Sequence, residues 1–561
     1  MSEASRTRTG GQILIDQLIV HGVDTIFCVP GESYLAALDA MYDARDRMRL
    51  IVCRQEGGAA YMAEAYGKLT GRPGICFVTR GPGATNASSG LHAAYQDSTP
   101  MVVFIGQVPR AFAEREAFQE IDFRRMYAPL TKWVAQIEDA ARIPEFVARA
   151  FTLAVSGRPG PVALALPEDM LCDRIAVADA APYQVVQASP NPDQIERMRA
   201  MLAAARRPIM IVGGSTWTPD AVRDITEFAT ANRLPTATSL RCQDHFDNLH
   251  PCYAGDLGIA PNPKLAAMVE NADIVLAVGP RLGEATTGGY TLFEAPRPHQ
   301  SLIHVHAGTE ELGRVYQAAL PINAGMPQFA AAAKSMRPVD SSAWAGAAET
   351  AHRDYLAWGE PISNPGDVQL AEIVAGLRNR MPPGTIVTNG GGNFTGWVHR
   401  FWRFRELGTQ LAPTNGSMGY GVPSGITAAL LHPDRRVLSF SGDGCFLMNG
   451  QEIATANQYG VAPIFFVINN RMYGTIRMHQ EREYPGRVIG SDLVNPDFAA
   501  LARAYGLHGE TVKRTGEFSD AFERCLNAGR AALIEIQLDP EALTTRSTLS
   551  GLRESSLRAG R

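Results

Sequence analysis

Short apolar runs alternate with longer stretches of helical character along most of the chain. The runs are rich in Val, Ile, Leu and Phe and end at glycine, proline or polar residues, which is typical of strands buried on both faces. Strands that alternate with helices in this way predict parallel, doubly wound sheets. In the N-terminal part of the chain, the predicted strands are residues 25–29, 50–53, 75–78, 101–105 and 162–166.

The same alternation occurs in three blocks, which two polar, proline-containing stretches separate. We therefore predict an α/β protein of three doubly wound parallel-sheet domains at residues 10–175, 190–335 and 366–545. The segment at 546–561 would form either a tail or a lid. The first and third blocks share a layout. The central block is Rossmann-like but lacks the GxGxxG fingerprint, so its pattern gives little support for a dinucleotide.

The third block contains Asp443 in a Ser-Gly-Asp-Gly sequence that follows an apolar run at residues 436–440. Residues 448–459 have helical character, and a second apolar run covers residues 462–468. Strand, helix and strand in succession predict two parallel neighbouring strands. Asp443 and Asn470 would then both lie at the carboxyl ends of these strands, where open α/β sheets bind ligands.

These residue types suit a magnesium ion with a diphosphate. Carboxylate, amide and carbonyl oxygens are ligands that Mg²⁺ accepts, and the ion usually keeps phosphate oxygens among its ligands. Gly444 would let the backbone approach a phosphate closely. An ordinary Asp-Gly turn followed by an Asn-Asn loop explains the pattern equally well.

A second set of polar side chains follows two strands of the first block. Glu56 comes after the predicted strand at 50–53, and the small residues 57–60 then open a helix. Residues 79–86 form a glycine-rich strand-to-helix turn at the same edge. The structural alternatives stay open: an acid favoured by the helix dipole, and a tight βα loop.

Composition narrows the class of protein. The chain has 561 residues and a formal net charge of −5, which is too mild to indicate nucleic-acid or membrane-surface binding. No apolar run approaches the roughly 20 residues that span a bilayer, and the N-terminus does not resemble a signal peptide. The eight cysteines include no CxxC pair, which argues against a zinc site or a disulfide framework. We predict a cytoplasmic protein.

Several motifs, in order along nearly the whole chain, resemble the acetohydroxyacid synthase (acetolactate synthase) large-subunit branch of the thiamine-diphosphate enzymes. The motifs are residues 54–66, 81–86, 117–120, 157–162, 416–421 and 442–444, with Asn469 and Asn470. The resemblance implies a pyrimidine-binding first domain, a central Rossmann-like domain and a diphosphate-binding third domain, with thiamine diphosphate and Mg²⁺ as cofactors.

The resemblance also implies a role for each matching residue. Glu56 would hydrogen-bond the aminopyrimidine ring, the Gly416 carbonyl would accept from its amino group, and Met418 would hold the cofactor in a bent shape. Gln119 is a further catalytic candidate. The implied metal ligands are Asp443, Asn470 and the backbone oxygen of Met472. The implied cofactor-binding residues around the diphosphate are Gly392, Asn393, Phe394, Gly444, Cys445, Asn470 and Gly474.

In this family the two halves of a site come from different subunits. The resemblance therefore implies a homodimer or homotetramer with active sites at the subunit interface, and a small 2-oxo acid as substrate. Neither nucleic acid nor a membrane is expected as a partner. A regulatory subunit is left open. FAD is also left open, because the second arginine of a flavin-associated motif corresponds to Ala285.

Four further positions depart from the family's pattern. His479 stands in place of a tryptophan that favours 2-oxobutyrate as acceptor, and Glu168 in place of a lysine. Arg80 stands in place of a small hydroxyl residue, and either a substrate carboxylate or an ion pair would explain it. Glu32 stands where simple 2-oxo acid decarboxylases carry a proton-donating acid, although a solvated glutamate at a helix start explains it as well.

Our first hypothesis is decarboxylation of a 2-oxo acid such as pyruvate, with carboligation to a carbonyl acceptor, as in an acetolactate synthase of branched-chain amino acid biosynthesis. One alternative is a decarboxylase or lyase that acts on another 2-oxo or 2-hydroxy-carbonyl substrate with the same cofactor. Another is a non-catalytic regulatory homologue. The decarboxylase or lyase is favoured by Glu32, Arg80 and His479, whereas the synthase is favoured by Phe118, Gln119 and Met418.

Overall fold

The computed structural model describes residues 6–560 and contains three six-stranded sheets in which neighbouring strands are parallel. The predicted fold class, an α/β protein with three parallel-sheet domains, is confirmed. Most strands of the three sheets are fully buried, as their unbroken apolar runs predict.

The first sheet and its helices occupy the N-terminal part of the chain. The strands are β1 (Thr7–Thr9), β2 (Thr25–Cys28), β3 (Arg49–Val52), β4 (Gly74–Val78), β5 (Met101–Gln107), β6 (Trp133–Gln136), β7 (Pro161–Pro167) and β8 (Arg174–Ala176). The helices are α1 (Gly10–Val20), α2 (Leu35–Asp43), α3 (Glu56–Thr70), α4 (Pro82–Asp97), α5 (Phe123–Tyr127) and α6 (Ile143–Val155). The sheet has the order β3-β2-β4-β5-β7-β6, and β1 pairs separately with β8 in antiparallel orientation.

The central sheet has the order β11-β10-β9-β12-β13-β14. Its strands are β9 (Pro208–Val212), β10 (Thr236–Ser239), β11 (Tyr253–Leu257), β12 (Ile274–Val278), β13 (Ser301–His306) and β14 (Leu320–Asn323). The helices of this region are α7 (Pro192–Ala203), α8 (Pro219–Ala231), α9 (Pro263–Glu270), α10 (Met326–Ser335) and α11 (Ala347–Trp358).

The third sheet has the order β16-β15-β17-β18-β20-β19. Its strands are β15 (Ile386–Asn389), β16 (Gln410–Leu411), β17 (Val437–Gly442), β18 (Ile464–Asn469), β19 (His508–Val512) and β20 (Ala532–Gln537). The helices are α12 (Leu370–Arg380), α13 (Thr395–Phe401), α14 (Gly421–Leu431), α15 (Asp443–Asn449), α16 (Ile453–Gln458), α17 (Gly474–Glu483), α18 (Phe498–Ala504), α19 (Phe518–Leu526) and α20 (Leu549–Arg558).

The first and third sheets have the same topology. Counted from the first strand of each sheet, both run 2-1-3-4-6-5, whereas the central sheet runs 3-2-1-4-5-6. The latter is the Rossmann order. The shared layout of the first and third blocks and the Rossmann-like character of the central block are therefore confirmed.

Stacked phenylalanines mark the same register in the first and third sheets. Phe77 of β4 lies beside Phe104 of β5 with ring centroids 4.7 Å apart, and Phe440 of β17 lies beside Phe466 of β18 at 4.6 Å. All four side chains are buried. Because buried aromatic pairs contribute strongly to a core, the two sheets are built around equivalent central strand pairs.

The βαβ unit around Asp443 forms with one difference from the prediction. β17 and β18 are parallel neighbours, as predicted. The helical stretch between them begins at Asp443 rather than near residue 448, and a 3-10 turn at Gly450–Glu452 separates α15 from α16. Glycine weakens a helical pattern in a sequence, but Gly444 lies in the first turn of α15, where the Asp443 side chain binds its N–H group.

The described part of the chain divides into two compact units. One contains the chain through Val186 together with Ile426–Leu431 and Asn449–Tyr459, and the other contains the central and third sheets. The segment predicted as a tail or lid contains α20, whose Arg553 Nε donates to Glu481 of α17 at 2.8 Å. No helix within residues 6–560 is long and apolar enough to cross a membrane.

Candidate active site

Glu56 is the first residue of α3, just beyond the carboxyl end of β3. Its Oε2 accepts a hydrogen bond of 2.9 Å from Nδ2 of Asn86 on α4. Gly83 permits this close packing, because a Cβ atom there would lie 3.2 Å from Glu56 Oε1 and 2.8 Å from the methyl carbon of Thr79. The structure therefore brings the predicted glutamate and the glycine-rich turn at residues 79–86 together.

A buried carboxylate holds the turn that precedes Glu56. The Glu452 side chain accepts from the backbone N–H groups of Arg54 and Gln55, each at 2.9 Å, and from the Thr455 hydroxyl at 2.7 Å. Burial raises the pKa of Glu452 above its ordinary value, and these hydrogen bonds oppose the rise. No pattern in the sequence indicates this role for Glu452, because its backbone partners lie 398 and 397 positions away along the chain.

Arg80 lies just beyond the carboxyl end of β4 and is held in ion pairs. Its Nη1 is 2.8 Å from Glu168 Oε2, its Nη2 is 3.7 Å from Glu32 Oε1, and its Nε donates to the Phe118 carbonyl at 3.2 Å. The Arg80 side chain is nearly buried, whereas that of Glu32 is 63% exposed. Of the two explanations for Arg80, the structure contains the ion pair, so its charge is already compensated.

Gln119 packs against the glycine-rich turn of the first sheet. A Cβ atom at Gly81 would lie 2.8 Å from Cβ of Gln119, and Gly81 has φ +59°, so glycine is required at this close approach. Oε1 of Gln119 is buried and has no hydrogen-bond partner within residues 6–560. A buried oxygen of this kind is an acceptor available to a ligand donor.

Asp443 is the first residue of α15 and is buried at the carboxyl end of β17. Its Oδ1 accepts from the Gly444 N–H group at 2.9 Å, and its Oδ2 accepts from Asn495 Nδ2 at 2.7 Å. Burial raises the pKa of Asp443, and these two hydrogen bonds, together with the backbone N–H groups of Arg471 and of Asp443 itself, oppose the rise. A carboxylate held in this way is a hard oxygen ligand of the kind that a cation binds.

Two glycines after β15 allow three segments of the third domain to meet. A Cβ atom at Gly391 would lie 2.0 Å from the carbonyl oxygen of Gly416, and one at Gly390 would lie 2.4 Å from Sγ of Cys445. Met418 is half-buried and packs against the same core as Cys445. Burial raises the pKa of the Cys445 thiol. The predicted residues Gly416, Met418 and Cys445 therefore share one region.

The turn formed by Gly392, Asn393 and Phe394 lies next to α17. Gly392 has φ +144°, and Oδ1 of Asn393 accepts from the Thr475 hydroxyl at 2.9 Å. The Phe394 ring packs closely against Gly442, since a Cβ atom added at Gly442 would lie only 3.1 Å from Cδ1 of that ring. The turn is thus connected to both β17 and α17.

The chain after β18 folds back to form the third predicted element of the metal site. Oδ1 of Asn470 accepts from the Met472 N–H group at 3.3 Å, and Met472 forms an isolated bridge with Asp492. A Cβ atom at Gly474 would lie 3.2 Å from Nδ2 of Asn470. Asn470, Met472 and Gly474 therefore lie together. His479, further along α17, is exposed and accepts a hydrogen bond from Arg482.

Three family models match successive parts of the chain. They are the N-terminal TPP binding domain of thiamine pyrophosphate enzymes over residues 8–126, their central domain over 195–333 and their C-terminal TPP binding domain over 390–536. The large subunit of acetolactate synthase isozyme 2 from Escherichia coli K12 is 31% identical over 542 residues, which cover 94% of this chain and 95% of that protein. The acetolactate synthase large subunit of Parasynechococcus marenigrum WH8102 is 32% identical over 533 residues, which cover 91% and 84%.

The chain belongs to the thiamine pyrophosphate enzyme family. Within that family its relatives include acetolactate synthase large subunits, and the protein is a thiamine-diphosphate-dependent enzyme of the decarboxylating and carboligating kind. The resemblance found in the sequence is confirmed. The acetolactate synthase catalytic subunit of Saccharomyces cerevisiae is 29% identical over 556 residues, which cover 95% of this chain and 81% of that protein. Its name describes it as mitochondrial. The cytoplasmic location therefore stays a prediction.

Sequence reasoning also missed a polar cluster behind Asp443. Asn495 Nδ2 donates to Asn469 Oδ1 at 2.9 Å, and Asn469 Nδ2 donates to Glu535 Oε1 at 2.7 Å. Asn469 and Glu535 are both buried. Asn495 lies between α17 and α18 in a segment without strand or helix periodicity, so no pattern in the sequence indicates its contact with Asp443.

Proposed function

We propose that the protein uses thiamine diphosphate and Mg²⁺ to decarboxylate a 2-oxo acid such as pyruvate and to join the remaining fragment to a carbonyl acceptor. The observation that carries this proposal is the matched placement of two acids. Glu56 and Asp443 each begin a helix at the carboxyl end of a strand, in two sheets of the same strand order. Open α/β sheets bind their ligands at this edge, and each acid lies within a TPP binding domain model.

The residues around Asp443 fit a magnesium ion that also binds a diphosphate. They offer one carboxylate, the side-chain oxygen of Asn470 and the backbone oxygen of Met472, which are hard ligands of the kind Mg²⁺ requires. Within residues 6–560, no group of three or more His, Cys, Asp and Glu side chains could hold a metal ion. The proposed set therefore relies on amide and carbonyl oxygens, and it leaves coordination positions for phosphate oxygens.

Thiamine diphosphate, when bound, supplies the carbon nucleophile and the electron sink that decarboxylation of a 2-oxo acid requires. We assign Glu56 to the pyrimidine ring, where its carboxyl group would hold a proton at a ring nitrogen while Asn86 orients it. Met418 would pack against the bound cofactor and support its conformation, and the Gly416 carbonyl would accept from the ring's amino group. The residues assigned to the diphosphate are Gly392, Asn393, Phe394, Gly444, Cys445, Asn470 and Gly474.

The substrate side of the site is assigned to residues of the first sheet. The unpartnered Oε1 of Gln119 is placed to accept a hydrogen bond from a hydroxyl group that forms as the acceptor carbonyl reacts. Arg80 would keep Glu32 and Glu168 in place rather than bind a substrate carboxylate, because both acids already contact its guanidinium group.

The assembly is also part of the proposal. The resemblance implies a homodimer or homotetramer in which Glu56 of one subunit and Asp443 of another complete a site, and sedimentation or native mass measurement tests it. Several relatives are named large subunits, so copurification would test for a smaller regulatory polypeptide. The matching family descriptions name thiamine pyrophosphate and no flavin, and FAD is not part of the proposal.

Glu32 supports a second candidate function, decarboxylation with release of an aldehyde. It begins a 3-10 turn after β2, and its side chain is exposed at the edge that also bears Arg80. A carboxyl group that is open to solvent and close to the proposed substrate position suits a proton donor to a departing product. A Glu32→Gln variant that shifts products from aldehyde to carboligation would support this role.

Proton NMR of the products separates these functions. The purified protein is incubated with thiamine diphosphate, Mg²⁺ and pyruvate, and the expected product is acetolactate. Acetaldehyde without acetolactate would favour the second candidate. No turnover of pyruvate would move the search to other 2-oxo and 2-hydroxy-carbonyl substrates.

Glu56→Gln tests whether the chemistry depends on the proposed acid. We expect turnover to fall by about 10²–10⁴-fold, the usual contribution of a positioned proton-transfer group. Glu145→Gln is the matched control, since Glu145 also lies in the first turn of a helix of the same sheet domain. Equal activity of Glu56→Gln and wild type in every assay would instead support a non-catalytic homologue.

A further inference from the structure

The carboxylate of Asp443 is held from two sides by groups of different origin. Its Oδ1 accepts from Gly444, the next residue in the chain, at 2.9 Å. Its Oδ2 accepts at 2.7 Å from Asn495, which lies 52 positions later. The local contact follows from the helix start, whereas the Asn495 contact depends on tertiary structure and fixes the rotation of the carboxylate.

A buried acid, Glu535, determines which end of the Asn495 amide faces Asp443, and it acts through the side chain of Asn469. Glu535 on β20 lies opposite Val467 of β18, and its Oε1 accepts from Asn469 Nδ2 at 2.7 Å. Because a carboxylate has no donor, Asn469 must turn its amino group toward Glu535 and its Oδ1 toward Asn495. Asn495 must then present Nδ2, which donates to Asn469 Oδ1 at 2.9 Å and to Asp443 Oδ2.

The arrangement leaves one polar atom of Asn495 without a partner. Its Oδ1 is buried and has no hydrogen-bond partner within residues 6–560. A buried unsatisfied oxygen costs free energy, so the two bonds from Nδ2 outweigh that cost. At the far end of the cluster, the Thr511 hydroxyl donates to Glu535 Oε2 at 3.2 Å, and Gln537 Nε2 donates to Glu535 Oε1 at 3.4 Å.

We propose that Asn495 is a positioning residue for the metal ligand Asp443, and that Glu535 acting through Asn469 sets the orientation of its amide. This inference rests on the proposed function, because it assumes that Asp443 binds Mg²⁺. A carboxylate fixed in advance loses less freedom when it binds a cation, and partners of metal ligands typically contribute 10–100-fold to metal affinity. Neither Asn495 nor Glu535 would contact the substrate.

The test titrates Mg²⁺ into the full-length protein at a fixed, saturating concentration of thiamine diphosphate, with binding heat as the readout. We expect Asn495→Ala to weaken Mg²⁺ binding by about 10–100-fold. Glu535→Gln, of nearly the same shape, should weaken it less, because its amide can donate and no longer compels Asn469 to one orientation.

Two further readouts separate positioning from general damage. Asn527→Ala, at an exposed site after α19 in the same domain, should bind Mg²⁺ as wild type does. At saturating Mg²⁺ and thiamine diphosphate, Asn495→Ala should keep kcat within a few-fold of wild type, because the ligand itself is intact. A variant that only melts earlier, with unchanged Mg²⁺ affinity, would overturn the proposal.

The remaining outcomes are also decisive. If wild type binds no Mg²⁺ with thiamine diphosphate, the proposed metal site fails, and the positioning role fails with it. If wild type binds and Asn495→Ala binds within two-fold of it, the metal site stands and the positioning role is wrong. Should Asn495→Ala not fold, Glu535→Gln takes its place, and an unchanged Mg²⁺ affinity in that variant overturns the proposal.

Discussion

The first and third sheets share a strand order but carry opposite charges at the same position. In each sheet a stacked phenylalanine marks the third strand, Phe77 in the first and Phe440 in the third. Three residues later the first sheet has Arg80 and the third has Asp443, both nearly buried. The shared topology therefore determines where a side chain lies, and the residue at that place determines whether the position carries a paired cation or an acid available to a metal ion.

The two acids proposed to bind the cofactor also differ in how they are held. Each accepts a hydrogen bond from an asparagine amide: Glu56 from Asn86 at 2.9 Å and Asp443 from Asn495 at 2.7 Å. The first pair is exposed, whereas Asp443 lies in a buried cluster. Hydrogen bonds contribute more, and cost more to break, where water cannot replace the lost partner. The exposed Asn86 bond therefore contributes little to fixing Glu56. The backbone that precedes Glu56 is held instead by the buried Glu452, which accepts from Arg54 and Gln55.

The largest expected effect is the loss of that carboxylate. Glu452→Ala leaves the N–H groups of Arg54 and Gln55 without their buried acceptor, and we expect the free energy of unfolding to fall by about 3 kcal/mol. Hydrogen exchange of these two amides in the cofactor-free protein should accelerate. Chemical unfolding followed by mass-resolved exchange measures both quantities.

The control for this substitution is a second acid that also binds two backbone N–H groups. Glu517 accepts from Lys513 and Arg514 at the protein surface. Glu517→Ala should cost less stability than Glu452→Ala, because water can replace the lost acceptor. Equal losses in the two variants would mean that burial does not distinguish these sites, and the role of Glu452 would reduce to an ordinary turn contact.

The next largest effect is expected where a glycine allows close packing, and it compares Gly391 in the third domain with Gly83 in the first. In Gly391→Ala the new carbon would lie 2.0 Å from a backbone oxygen of Gly416, and we expect a loss of about 2 kcal/mol together with weaker thiamine diphosphate binding. In Gly83→Ala the nearest atom belongs to the side chain of Thr79 at 2.8 Å, which can move, so a loss of about 1 kcal/mol is expected.

Gly376→Ala is the matched control for both glycine substitutions. Gly376 lies within α12, and nothing would lie within 4 Å of an added Cβ atom. Alanine should therefore leave stability unchanged or raise it by up to about 1 kcal/mol. The unfolding midpoint should be lowest for Gly391→Ala, intermediate for Gly83→Ala and highest for Gly376→Ala. A Gly391→Ala protein as stable as Gly376→Ala would show that the Gly416 segment can shift.

The sheets and two of the acids could be predicted from the sequence for a physical reason. A strand buried on both faces needs an unbroken apolar run, and the residue after it must lie at the sheet edge. That local rule places Glu56, Asp443 and Asn470 without any knowledge of the fold. The identical strand order of the first and third sheets was suggested only as a shared layout, because strand order depends on pairings between distant segments.

The groups that hold these acids could not be predicted in the same way. Glu452 and Asn495 contact their partners across 398 and 52 positions of the chain, and neither stands at a strand end. Arg80 shows the intermediate case. Its type and place indicated an interaction with a carboxylate, but only the position of Glu168 after β7 decides between an internal ion pair and a substrate.

A smaller effect is expected on the pH dependence of stability, to which two buried acids, Glu452 and Asp443, contribute. Burial raises the pKa values of Glu452 and Asp443 in the folded protein. As pH rises above the ordinary glutamic acid value of 4.5, the unfolded chain loses its proton first, so stability falls until the folded pKa is passed. Glu452→Gln cannot titrate, and its unfolding free energy should decline less between about pH 4.5 and neutrality.

Urea unfolding at several pH values measures this slope. The decline that remains in Glu452→Gln contains the contribution of Asp443 in the third domain, which the substitution does not touch. A slope identical to that of wild type would show that Glu452 does not change its protonation on unfolding. A steeper slope would reverse the sign of the burial effect assigned to it.

The smallest effect is expected for Asn86→Ala. The exposed hydrogen bond to Glu56 contributes about 0.5–1.5 kcal/mol, so thiamine diphosphate affinity and kcat should each change by less than about tenfold. Asn495→Ala, which removes the corresponding bond to Asp443, should weaken Mg²⁺ binding more than Asn86→Ala weakens the cofactor. If Asn86→Ala proves the more damaging of the two, then the Asn86 bond is shielded from water in the assembled enzyme, and the subunit that covers it would be the next object of measurement.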